Sequence, residues 1–137
     1  MKKILLTSLV VLFTASYSFA AAPAGMIKIV KPKNGDKVTS PVEICFETTG
    51  LTLEPADNKS KNEGKGHHHI LIDTKVPRNL KYVGGKSFKM IHLNGGEPCR
   101  SVKIAPGDHD IRGLFTYGDH FPYDPAITDS IFIEVTE

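Results

Sequence analysis

The chain has 137 residues, 17 lysines and arginines against 15 aspartates and glutamates, six histidines and two cysteines. Lys2 and Lys3, the apolar run Ile4 to Phe13 and the small residues up to Ala22 read as an export signal over residues 1–22; without its two lysines the charges balance, which excludes nucleic acid as an expected partner. No later apolar run reaches the roughly 20 residues that span a bilayer, so a periplasmic or secreted, not membrane-spanning, domain over 23–137 is expected, with room for one core.

The first strand is expected from Met26, where Ile27 and Ile29 alternate with polar neighbours before the turn Pro32-Lys33-Asn34-Gly35-Asp36. A second follows from Val42 to Glu47, with Val42, Ile44 and Phe46 facing inward and Glu43, Cys45 and Glu47 outward. Residues 54–66 are polar and read as a mobile loop. A third strand, His67 to Ile72, leads through Val76-Pro77-Arg78-Asn79 and Gly84-Gly85 to a fourth at Ser87 to Leu93. Beyond the turn Asn94 to Pro98 come strands at Cys99 to Ile104, His109 to Thr116 and, after a loop through Tyr123-Asp124-Pro125, Ser130 to Val135. No segment carries a capped helical period. About seven short strands in one domain predict an all-β, immunoglobulin-like antiparallel β-sandwich, and Ile29 to Val38 with Pro41 to Ile44 resemble the first two strands of bacterial immunoglobulin-like domains.

In an oxidising compartment Cys45 and Cys99 are most simply one disulfide closing a loop of about 53 residues, the alternative being two separate buried thiols. Cys45 falls on the face opposite the apolar triplet, which is awkward for a bridge buried between two sheets.

The run Gly66-His67-His68-His69-Ile70-Leu71-Ile72-Asp73 concentrates half of the histidines. Strand alternation puts His67, His69 and Leu71 on one face, expected to be the more accessible, and His68, Ile70 and Ile72 on the other. His67 and His69, two residues apart, suit one metal, and His92 and His120 lie at strand ends that a small sandwich can bring to the same edge. These four are the candidate ligands, and imidazoles without thiolate point to copper or zinc. His68 is expected to be a structural imidazole bonded to backbone at the core edge, and His109 a structural residue at a strand start. No Gly-x-Ser-x-Gly elbow, phosphate-cradling loop or His-Glu-x-x-His word is present, and no catalytic residue is assigned. A copper-zinc dismutase, also a β-sandwich with a disulfide, is distinguished by bridging-histidine and loop motifs that this chain lacks.

Gly66 to Asp73, Ile91-His92-Leu93-Asn94-Gly95-Gly96, Pro106-Gly107-Asp108-His109-Asp110-Ile111 and Asp119-His120 through Ser130-Ile131 resemble the exported bacterial domain-of-unknown-function 4399 family. The resemblance implies a small exported protein and carries no activity with it. The family's His-x-His-Phe word stands here as Met90-Ile91-His92-Leu93, and Glu97-Pro98-Cys99 replaces its glutamine-threonine. The expectation is thus an exported, non-enzymatic binding module for divalent copper or zinc. The alternative is a structural or protein-interaction domain whose histidines are purely structural, with no cofactor and an unknown protein partner.

Overall fold

Alternating burial produces the first sheet: β1 (Met26–Lys31) buries Ile27 and Ile29, and β3 (Val42–Thr49) buries Val42, Ile44 and Phe46 while Glu43 and Glu47 face water. The computed structural model describes residues 25–57, 59–76, 83 and 89–137; the signal segment 1–22 and most of the connection through Gly84-Gly85 lie outside the described residues. β7 (Cys99–Val102) completes an antiparallel sheet of order β1-β3-β7. The second sheet runs β2 (Lys37–Thr39), β9 (Pro122–Thr136), β8 (Gly107–Thr116), β5 (Lys65–Ile72), β4 (Thr52–Leu53), with β6 (Met90–His92) also paired to β5. The described residues form no helix, as the sequence predicts.

The two sheets enclose the core, Ile27, Ile29, Ile44 and Phe46 meeting Ile70, Ile111, Phe115 and Ile131. Each such side chain contributes roughly 1.5–3 kcal/mol on leaving water. Gly113 makes one of these contacts possible, since a Cβ there would lie 2.4 Å from Phe46 Cε1. On the opposite face of the second sheet Leu71, Val83 and Leu114 form a smaller apolar cluster, so β5 and the C-terminal half of β8 are covered on both sides. A strand buried on both faces reads as a continuous apolar run, which accounts for Ile70-Leu71-Ile72.

The expectations need four corrections. The described residues form nine strands rather than about seven. β2 pairs parallel to β9 and β4 parallel to β5, so the second sheet is mixed rather than wholly antiparallel. β9 starts at Pro122 rather than Ser130: Phe115 pairs with Ile127 but Thr116 with Pro122, so residues 123–126 bulge out of the ladder and Pro125 withholds no bond from it. The segment expected as a mobile loop is tied into the fold, Ala56 N–H donating to Asn94, Asp57 N–H to Gly118 and Asp119 N–H to Ser60.

Cys45 and Cys99 form the disulfide. They are directly opposed across β3 and β7 with Cα atoms 4.1 Å apart, so the bridge lies within one sheet on its outer face rather than between sheets. The outward orientation of Cys45 is therefore what the bridge requires.

Candidate metal centre

Strand alternation separates the histidine triplet as expected, but both faces are closed: His67, His68 and His69 are each 0% exposed. The expectation that His67 and His69 lie on the more accessible face fails because a second layer covers it. On that face His67 pairs with Thr116 of β8, and His69 lies between Leu114 of β8 and His92 of β6. Val83 packs against Leu71 and Leu114 just beyond, and its N–H donates to the carbonyl of His120.

His120 enters this chamber from the turn between β8 and β9, and it is 4% exposed. Its φ of 68° is a left-handed conformation that a non-glycine residue adopts only under constraint. The constraint is visible: His120 N–H donates to Tyr117 O, Tyr117 N–H to Phe121 O, and Phe121 N–H to Asp119 Oδ1. Three of the four sequence candidates bring ligand atoms together, and the His92 ring lies beside them. Ligand nitrogens of His67, His69 and His120 all lie within 4.8 Å of one another. The His92 ring centroid is 4.3 Å from that of His69 and 5.1 Å from that of His120.

The proton inventory of the chamber is restrictive. His67 Nε2 and His69 Nε2 are 2.9 Å apart, so at most one of them carries a proton there. Thr116 Oγ1 lies 3.1 Å from His69 Nε2 and 3.4 Å from His67 Nε2, while its own proton goes to Tyr117 O. Its oxygen is therefore an acceptor toward the rings. Nδ1 of both rings is buried without a hydrogen-bond partner, so packing and Thr116 orient them. Thr116 is the chamber residue the sequence reading missed; its only signal is its place opposite His67, which needs the register of β8.

Burial, reinforced by the neighbouring rings, pushes the His67 imidazole down to about 4 and that of His69 well below its ordinary value. Burial also lowers His120, against the opposing pull of Asp119 and Asp57. His67, His69 and His120 are therefore held toward the neutral imidazole, the protonation state a metal ligand needs. Every donor is a nitrogen or a hydroxyl oxygen, and the group of ligand atoms contains no carboxylate. That donor chemistry fits zinc or copper and does not fit calcium or magnesium.

The other two histidines lie elsewhere. His68 faces the sandwich core, stacked on Phe46 with centroids 4.3 Å apart and bonded through Nε2 to Thr48 Oγ1 at 3.0 Å. Its partner is thus a side-chain hydroxyl rather than backbone, and burial takes it down to about 4. His109 lies at the other end of β8, Nδ1 at 2.9 Å from Asp73 Oδ2 and Nε2 at 2.8 Å from Ala105 O. Burial opposes its charge, but two facing acceptors prevail and its pKa is raised.

The sequence model of the family described as "Domain of unknown function (DUF4399)" matches residues 44–136, more than half of the chain, and the chain belongs to that family. No curated protein matches. Among solved structures, the X-ray structure of the endo-beta-1,4-mannanase from Thermotoga petrophila is similar at 13% identity and a TM-score of 0.45, over 82% of this chain and 20% of that one. The chain thus spans about a fifth of that enzyme's length, and a likeness of this degree carries no argument about activity.

Proposed function

We propose that this member of the DUF4399 family is an exported, non-enzymatic module that binds one copper or zinc ion through His67, His69 and His120, with His92 as the fourth imidazole. The observation that supports this reading most is the convergence of three buried histidines, with ligand atoms within 4.8 Å, from two separate elements. A structural imidazole packs singly, as His68 does on Phe46 with one nitrogen on Thr48. Gathering four imidazole rings in one chamber, with the buried Nδ1 atoms of His67 and His69 unpartnered, costs stability that a shared ligand offsets. The disulfide and the signal-like N-terminus support an oxidising destination, periplasmic or secreted. The two-sheet core supports the immunoglobulin-like reading of the fold.

Calorimetric titration of the protein with divalent copper and with zinc tests the assignment. The expected result is one saturable site near neutral pH that disappears in the double variant His67→Ala/His69→Ala and weakens in His120→Ala. Absence of a saturable site, or binding unchanged in the double variant, refutes it.

A further inference from the structure

Three donor atoms of the chamber form a small triangle, and one of them does not belong to a histidine. His67 Nε2 and His69 Nε2 are 2.9 Å apart, and Thr116 Oγ1 lies 3.1 Å from His69 Nε2 and 3.4 Å from His67 Nε2. Donors about 2.0–2.1 Å from a tetrahedral ion stand about 3.3 Å from one another, and the three edges bracket that value. Three corners of a square plane with the same bond length give two edges of about 2.9 Å and one of about 4 Å; no edge of this triangle is that long. Resting on the proposed metal site, we infer that Thr116 Oγ1 is itself a ligand, closing a tetrahedral shell of His67, His69, His120 and one hydroxyl oxygen around zinc.

The backbone is built to put this oxygen there. Thr116 is directly opposite His67 across β8 and β5, so their side chains share a face, and His69 is the next residue of β5 on that face. The register of β8 with β9 shifts between Phe115 and Thr116, a bulge of the kind that re-aims one side chain at the end of a ladder. Gly66 lets β5 approach closely at the same point, since a Cβ there would fall 1.8 Å from the Thr116 carbonyl oxygen. Thr116 is fully buried, and its hydroxyl donates its proton away from the rings, to Tyr117 O at 3.1 Å. What it turns toward His67 and His69 is therefore oxygen lone pairs. A zinc ion held by three histidines ordinarily keeps a water in the fourth position, and that open position is where catalysis takes place. Thr116 fills it with the chain's own oxygen, so the ion is held and not offered to a substrate.

The test is titration with divalent cobalt, a zinc surrogate whose visible absorption reports its geometry, and with zinc itself, on the wild type and on Thr116→Val, Thr116→Ser and Thr116→Cys. The wild type is expected to bind one cobalt ion per chain with the intense visible bands of a four-coordinate ion. Thr116→Val, which keeps the shape and removes the oxygen, should lose about tenfold or more of zinc affinity, and Thr116→Ser should stay within about threefold of the wild type. Thr116→Cys is the direct probe: a sulfur bonded to cobalt adds a near-ultraviolet thiolate-to-metal band, which a side chain that only braces the rings cannot produce. Where Thr116→Val does not fold, the serine and cysteine variants, which keep a donor atom, decide. Cobalt held by Thr116→Cys without that band, or a folded Thr116→Val with wild-type zinc affinity, overturns the inference and leaves the histidine site standing. Binding of divalent copper without zinc or cobalt does the same. No binding of any of the three metals overturns both.

Discussion

Acidification is expected to unfold the metal-free protein through its buried imidazoles. His68 serves as the gauge because it faces the core, away from the candidate ligands. Burial lowers it from 6.5 to about 4. For a depressed folded pKa the stabilising contribution is whole above the unfolded value, and it is lost progressively as pH falls from 6.5 to about 4. The full loss for this one ring is about 3 kcal/mol, of which about 2 kcal/mol is gone by pH 5. His67, lowered to about 4, adds a similar amount, and His69 is depressed as well. Against a typical domain stability of about 5–15 kcal/mol, two or three such groups are enough to unfold the protein near pH 4–5. Urea unfolding followed by far-UV circular dichroism at half-unit steps from pH 7.5 to 4.5 measures this. Between pH 6 and 5 the slope should be about 2–4 kcal/mol per pH unit, or two to three protons taken up on unfolding. His68→Phe, which keeps the stack on Phe46, should reduce the uptake by about one proton. A stability curve flat over this interval, or a proton uptake below one, refutes the claim that these rings are buried and neutral.

Metal affinity should depend weakly on pH. An exposed imidazole with a pKa of 6.5 loses about tenfold in affinity between pH 7.5 and 5.5, whereas the His67 and His69 rings are already neutral across that range; titrations at the two pH values should differ by less than about tenfold overall. Gly66→Ala should destabilise by about 3 kcal/mol and distort the site, because the new Cβ would fall 1.8 Å from the Thr116 carbonyl oxygen; the urea midpoint and the metal affinity both report it. Removing the disulfide by Cys45→Ala/Cys99→Ala should cost about 4 kcal/mol through the chain entropy of the 54-residue separation, read as a lower urea midpoint with the circular dichroism spectrum retained.

The fold class was legible in the alternation of Ile27/Ile29 and Val42/Ile44/Phe46, because each of those strands has one wet face. The short strands were not. Lys37–Thr39 and Thr52–Leu53 are strands because longer neighbours recruit them in parallel, and two or three residues are too few to show an alternation. The division of the histidine triplet followed from a period of two, whereas its burial did not, since a covering second layer is a tertiary fact. Ile70-Leu71-Ile72 is the clue in hindsight: apolar on both phases of the alternation, it belongs to a strand with no wet face. His92 and His120 could be listed from sequence but brought together only by register and by the left-handed turn at His120. Thr116 stayed hidden because a threonine at a strand end signals nothing until its opposite neighbour is known.

The turn from Tyr117 to Phe121 has a consequence in time as well as in space. It supplies a ring to the chamber and forms part of its wall, held by two backbone hydrogen bonds of 3.0 Å within the turn and by Phe121 N–H on Asp119 Oδ1 at 3.1 Å. Anything enclosed there leaves when those bonds open together, so its residence is timed by a local opening of the chain and not by the lability of its own bonds. An ion held as proposed is therefore expected to exchange on the schedule of that turn rather than with the concentration outside.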